Sequence, residues 1–236
     1  MQPILQLDNV GRRFGAKVAL DGMSLTLHAG DVFALLAPNG AGKTTTLNLI
    51  LGFLRADSGT VSVCGEPVGD MAGATRRQLA YLPEQVAIYP ELSGKENLHY
   101  FALLAGAELD DATLARLLSE AGLRPEAHGR AARHYSKGMR QKVGIAIAMA
   151  RDARLLLLDE PTSGLDPLAA AELSAALRAA AARGIAILMA THDLYHIKEV
   201  ATRVGFLHGG RIAREIDPQA TTHADLERLY VEELQR

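Results

Sequence analysis

The segment Ala37-Pro38-Asn39-Gly40-Ala41-Gly42-Lys43-Thr44 does most to narrow what this chain can fold into. It follows the continuous apolar run Val32-Phe33-Ala34-Leu35-Leu36, the pattern of a strand buried on both faces. It precedes a stretch in which Leu47, Ile50, Leu51 and Leu54 recur at helical spacing. In such a strand–loop–helix unit, successive backbone N–H groups wrap a phosphate chain and the helix N-terminus adds its positive end. Gly40 and Gly42 let the backbone approach closely, Lys43 reaches the outer phosphates, and the Thr44 hydroxyl can ligate Mg²⁺. The pattern expects glycine at its first position, where this chain has Ala37. A methyl group there crowds the turn if the position needs a positive φ.

A second signal is the run Leu155 to Leu158 followed by Asp159-Glu160. It places two acids at the C-terminal edge of a buried strand, where α/β folds bind ligands. One carboxylate can hold Mg²⁺ directly or through water. Strand alternation sends the next one the other way, where it can orient a water for in-line attack.

The rest of the chain reads as an α/β fold with one helical interruption. Leu5 and Leu7, less regularly Val10, and then Met23, Leu25 and Leu27 alternate with polar residues, an antiparallel β region at the N-terminus. Thr60 to Val63 is a further strand. From Ser93 to about Arg133 the pattern turns helical, with one stripe at Leu98, Phe101, Ala102 and Ala105 and another at Leu114, Leu117, Leu118 and Ala121. Ser136 then reads as the N-cap of a helix running to about Ala150. Residues 93–150 thus form a helical subdomain inserted in a single domain of residues 1–236. Strands and helices then alternate to the end, with a hairpin around Gly209-Gly210, which implies a mostly parallel sheet covered on both faces.

Composition removes several classes of function. With 25 Lys+Arg against 27 Asp+Glu the net charge is −2, so no basic surface is available for sequence-independent nucleic-acid binding. The single cysteine, Cys64, excludes an intrachain disulfide and a cysteine metal cluster, and it reads as a small apolar residue. No run approaches the roughly 20 apolar residues of a membrane span, and the segment after Met1 lacks the pattern of a secretory signal. The pairs Arg76-Arg77 and Arg130 with Arg133 read as solvated surface. His192 and His196 share the i,i+4 spacing of a zinc protease, but without its glutamate or a third ligand.

With these residues in view, the chain resembles the nucleotide-binding subunit of an ATP-binding-cassette (ABC) transporter over nearly its whole length. Ala37 to Thr44 is similar to the family's Walker A loop, and Leu155 to Glu160 to its Walker B strand with the catalytic glutamate. Tyr135-Ser136-Lys137-Gly138-Met139 stands at the Leu-Ser-Gly-Gly-Gln signature, Ser163 to Asp166 at the D-loop, and Thr191-His192-Asp193 at the switch-histidine loop. Phe14, before Gly15, matches the aromatic residue that stacks on adenine. Two departures stand out. Met139 replaces the last glutamine of the signature, and Leu82-Pro83 is followed by Glu84 and then Gln85 where the family has glutamine directly. Either Glu84 or Gln85 can reach Mg²⁺.

The resemblance implies a P-loop ATPase core, ATP and Mg²⁺ as ligands, and two ATPase subunits, in the simpler case identical, closing head to tail. Lys43, Thr44, Asp159 and the loop around Asn39, Gly40, Ala41, Gly42 and Thr45 would hold MgATP. Glu160 would polarise the attacking water, His192 would contact the outermost phosphate, and Ser136 and Gly138 would complete the partner subunit's site. It further implies a separate integral-membrane permease, met by the segment from Glu84 to Gly94, and a place on the cytoplasmic face of the cell membrane. The segments Tyr81 to Glu84, Tyr89 to Gly94 and Tyr135 to Gln141 are similar to exporters of the ABC-2 type, and to the ATPase serving copper-site maturation of nitrous-oxide reductase. The competing reading is a non-transport or regulatory ABC ATPase acting on soluble partners.

Overall fold

In the computed structural model, which describes residues 2–68 and 77–234, two sheets and a set of helices enclose two apolar cores. Met1 and Arg76 lie outside the described residues. The strands among the described residues are β1 (Leu5–Phe14), β2 (Lys17–Leu27), β3 (Val32–Leu36), β4 (Ser58–Val63), β5 (Glu66–Pro67), β6 (Leu79–Leu82), β7 (Leu155–Asp159), β8 (Ala186–Thr191), β9 (Arg203–His208) and β10 (Arg211–Ile216).

The smaller sheet runs β2-β1-β4-β5 and is antiparallel. Its alternation breaks between Leu7 and Val10 because the ladder shifts there and Asn9 takes a left-handed φ of 50°. The irregularity turns Val10 back into the core, where it is fully buried. The larger sheet runs β10-β9-β3-β8-β7-β6, with every pairing parallel except the β9–β10 hairpin.

The central strands explain their own composition. Along β3, Val32, Ala34 and Leu36 face one core while Phe33 and Leu35 face the other. In β7, Leu156 and Leu158 oppose Leu155 and Leu157 in the same way. Both faces are covered, so no polar alternation survives. One core lies between the two sheets and includes helix α1 (Lys43–Ile50). The other is covered by the remaining helices.

The helical block is divided rather than continuous. It comprises α2 (Gly94–Leu104), α3 (Asp111–Glu120), the short α4 (Pro125–His128), a 3₁₀ turn at Ala132–His134, and α5 (Lys137–Ala150). Each longer helix starts on a side-chain cap. Ser93 and Glu96 form a reciprocal capping box for α2, Asp110 accepts from the Thr113 N–H for α3, and Ser136 accepts from the Met139 N–H for α5. The second stripe faces the core through Leu114, Leu117, Leu118 and Ala121, but of the first only Leu98 and Ala102 do; Ala105 is half-buried, and Phe101 packs beside Tyr89 and Tyr100 instead. Tyr135 ties the block together. Its buried hydroxyl accepts from the Gly94 N–H at 3.0 Å and donates to the Ala127 carbonyl at 2.5 Å. After β7 follow α6 (Pro167–Ala182), α7 (Leu194–Val200) and α8 (His223–Leu234).

Candidate nucleotide site

Three neighbouring strand ends build the site. β3 and β7 both flank β8, and the register pairs Leu36 with Thr191 and Asp159 with Ala190. The loop after β3, the acids ending β7 and the histidine after β8 therefore emerge at one level, at the carboxyl edge of a parallel sheet. The backbone locks them there, since the Ala37 N–H donates to Thr191 O at 3.2 Å and the Glu160 N–H to Ala190 O at 2.8 Å.

The loop after β3 uses its glycines where the chain turns left-handed. Gly40 has φ 84° and Gly42 has φ 115°. A Cβ on Gly42 would stand 2.7 Å from Ala19 O, so side chains are excluded there on space as well. Ala37 is not a left-handed position, and the crowding foreseen for its methyl group does not arise. Its buried side chain joins the inter-sheet core, and its carbonyl accepts from Lys43 Nζ at 2.6 Å.

A cavity of about 520 Å³ gathers most of the residues singled out from the sequence. Asn39, Gly40, Gly42, Lys43, Thr44 and Thr45 line it together with Glu84, Asp159, Glu160 and the partly exposed Phe14. Ala41 does not line it; this residue packs against the inter-sheet core. Gln85 is exposed and away from the cavity, so Glu84 alone of that pair faces it. Glu160 does not point away from Asp159. The strand ends at Asp159, Glu160 takes a left-handed φ of 45°, and both carboxylates face the same space. Lys17 and Ala19 of β2 also line the cavity and escaped the sequence reading. Their only signal was the β1–β2 hairpin, which pairs Phe14 with Lys17.

Glu160 is the electrostatic centre. Lys43 Nζ lies 3.1 Å and His192 Nδ1 2.9 Å from its Oε1, and the His192 N–H donates to Oε2 at 3.3 Å. Burial alone would raise the Glu160 carboxyl pKa, but hydrogen bonds from His192 and Lys43 and their charge hold it below the ordinary range. Asp159 goes the other way. Burial, with Glu160 and Glu84 nearby, pushes its carboxyl above the ordinary range against the pull of Lys43. Thr44, Glu84 and Asp159 offer only oxygen donors, a set that suits a hard divalent cation such as Mg²⁺.

Ser136 and Gly138 are not brought to this cavity. Ser136 lines a separate cleft of about 590 Å³ with Arg130, Met139 and Asp166, and Gly138 lies beside it in α5, close to Ala169. His196 is partly buried and bonds Asp193 through Nδ1 at 2.6 Å, and Asp193 also accepts from the Thr162 hydroxyl at 2.9 Å. Among the described residues no group of three metal-ligating side chains forms around these histidines.

A glycine-rich phosphate loop, a strand-end acid pair and a histidine on adjacent parallel strands define an α/β nucleotide-binding domain of the P-loop class. Residues 20–163 match the ABC transporter family. Nod factor export ATP-binding protein I of Burkholderia lata is 37% identical over 228 residues, covering 95% of this chain and 75% of that protein. The uncharacterized ABC transporter ATP-binding protein YdbJ of Bacillus subtilis is 34% identical over 221 residues, covering 93% and 71%. Among solved structures, an ATP-binding subunit of an ABC transporter aligns with TM-score 0.81 at 32% identity, covering 98% of this chain and 99% of that one. An ATP-binding cassette in its ADP conformation gives TM-score 0.83 at 23% identity, covering 100% and 98%, a likeness of fold. The chain belongs to the ABC transporter family as an ATP-binding subunit, and it is an ATPase of that class. No helix among the described residues is long and apolar enough to cross a membrane.

Proposed function

We propose that this chain is the motor of an exporter: a single catalytic domain, residues 1–236, that works as a homodimer on a separate integral-membrane permease at the cytoplasmic face of the cell membrane. The observation that carries the reading is the division of the site. The phosphate loop and both acids share one cavity, with His192 beside it against Glu160, while Ser136 lines a separate cleft and Gly138 lies next to that. A head-to-tail pair of chains supplies what one chain keeps apart, with the helical block 93–150 presenting its Ser136 end to the partner's nucleotide.

In this reading the loop amides from Asn39 to Thr45 and the Lys43 ammonium bind the triphosphate, and Phe14 lies against the base. Thr44 and Asp159 would hold Mg²⁺, which when bound neutralises charge on the phosphates. Glu160 orients and polarises the attacking water. A carboxylate held ionised by its neighbours suits that role, because phosphoryl transfer asks mainly for positioning and charge stabilisation. His192, 2.9 Å from Glu160 through Nδ1, would contact the outermost phosphate. Export is supported by the relatives named for Nod factor export. The cargo is read two ways: an exported molecule of that general kind, or a component of copper-site maturation in nitrous-oxide reductase, which three short segments of the sequence favour.

The test is affinity purification of the chain from detergent-solubilised native membranes, with its companions identified by mass spectrometry and ATPase activity measured on the complex. A multi-span membrane protein recovered with MgATP hydrolysis is the expected result, and its identity assigns the cargo. Recovery of soluble proteins alone would replace the transporter reading by a non-transport or regulatory ATPase.

A further inference from the structure

Three side chains join the cavity to the start of α5, and the contacts among them have no task in the reading above, which uses Glu84 only as an oxygen donor of the cavity. Glu84 lies just after β6 and lines the cavity. Lys137 opens α5, and Ser163 lies between β7 and α6. Lys137 Nζ donates to the Ser163 carbonyl at 2.6 Å, and Ser163 Oγ donates to Glu84 Oε1 at 2.9 Å. The same Nζ stands 3.5 Å from Glu84 Oε1. The triangle therefore closes on itself, with Glu84 half exposed and Lys137 more covered.

The cavity's charge makes this pairing consequential. Three carboxylates, Glu84, Asp159 and Glu160, face the ammonium groups of Lys17 and Lys43. Glu160 takes its compensation from Lys43 and His192, and among the described residues Asp159 has only the shared Lys43. Glu84 is thus the carboxylate at the rim that a polyphosphate would meet, and like charges at short range repel most where water is partly excluded. Lys137 is the cation beside it, and it comes from outside the cavity lining.

We propose that Lys137 is a positioning residue for the hydrolysis site. It neutralises Glu84 and, with Ser163, holds that carboxylate at the cavity rim, so that MgATP meets a paired charge rather than a bare one. The same contacts tie the helix that Ser136 caps to the nucleotide site of its own chain. The inference rests on the cavity being the nucleotide site.

A double-mutant cycle with Lys137→Met and Glu84→Gln tests it, read as KM for MgATP and kcat at two salt concentrations. Lys137→Met should raise KM about two- to fivefold, the scale of a partly exposed ion pair, and the loss should shrink at high salt. Lys137→Arg should keep KM near that of the wild type, because the charge stays. Adding Glu84→Gln to Lys137→Met should recover most of the KM loss, because the charge needing compensation is gone. Additive losses in the double variant, with Lys137→Arg as impaired as Lys137→Met, would make the lysine a packing element and overturn the proposal. A wild-type complex that neither binds nor hydrolyses MgATP would overturn the nucleotide reading and the proposal together.

Discussion

The Lys43 ammonium lies 3.1 Å from the Glu160 carboxylate, so the phosphate loop and the end of β7 are joined by an ion pair across the width of β8. Both side chains are largely buried, and Lys43 also donates to Ala37 O within its own loop. One cation thus shapes the loop and, together with His192, holds the acid's pKa down.

Glu160→Gln keeps the shape of the side chain and removes its charge. The variant is expected to bind MgATP with near wild-type affinity and to hydrolyse it about 10²–10⁴-fold more slowly, the usual worth of a positioned base. Nucleotide binding measured beside steady-state phosphate release separates the two effects. Near-normal turnover would take Glu160 out of the reaction.

His192→Ala removes a ring whose Nδ1 stands 2.9 Å from Glu160 Oε1. The expected loss is about 10²-fold in kcat, comparable to deleting one charge-stabilising donor, with little change in nucleotide affinity. A rise in KM with kcat intact would instead make the histidine a binding group.

Asp159 illustrates a site kept at the expense of stability. Burial and the neighbouring acids raise its carboxyl pKa in the fold. A raised carboxyl holds its proton more tightly folded than unfolded, so its stabilising contribution is present at acid pH and is lost as pH rises through the folded value. Asp159→Asn should therefore melt a few degrees higher than the wild type at pH 7. The difference should close below about pH 3.5, under the ordinary aspartate value. Calorimetry across that range checks it, and hydrolysis by the same variant should be lost.

The two ends of the phosphate loop should respond oppositely to exchange between glycine and alanine. Gly42→Ala forces a methyl group to 2.7 Å from Ala19 O at φ 115° and is expected to cost about 1–3 kcal/mol, with weaker nucleotide binding. Ala37→Gly changes no required conformation and should stay within about 1 kcal/mol, with activity retained. Denaturant melts and nucleotide titrations on both variants give the comparison.

Tyr135→Phe strands the buried Gly94 N–H, while the Ala127 carbonyl keeps the Arg130 N–H at 3.0 Å. Leaving such a group unpaired costs about 1–3 kcal/mol, or about 2–4 °C in Tm for each kcal/mol in a chain of this size. Melting of the variant against the wild type would show the loss, and no change in Tm would mean that water replaces the hydroxyl.

Local chemistry reached far into this protein. The loop from Ala37 to Thr44 is legible because phosphate binding needs close backbone approach, and only glycines at Gly40 and Gly42 permit the left-handed turns. β3, β7 and β8 are legible because strands buried on both faces cannot hide polar residues. The helices after Ser93, Asp110 and Ser136 are legible because their first turns need a side-chain acceptor. All of this depends on neighbours along the chain.

Contacts between distant segments were decided by the tertiary structure. Period-two alternation predicts opposite directions for Asp159 and Glu160, yet the sheet ends there and a left-handed residue turns both into one cavity. Glu84 and Gln85 were equivalent by position, and only the path of the chain after β6 brings Glu84 to the rim, beside Ser163 and Lys137. Lys17 enters the cavity through a hairpin pairing that composition does not mark. The sequence alone determined which chemistry each segment can perform, because that is set by residue type and local backbone freedom. The strand order of the sheet decided which segments perform it together, because convergence depends on long-range pairing, which local pattern does not encode.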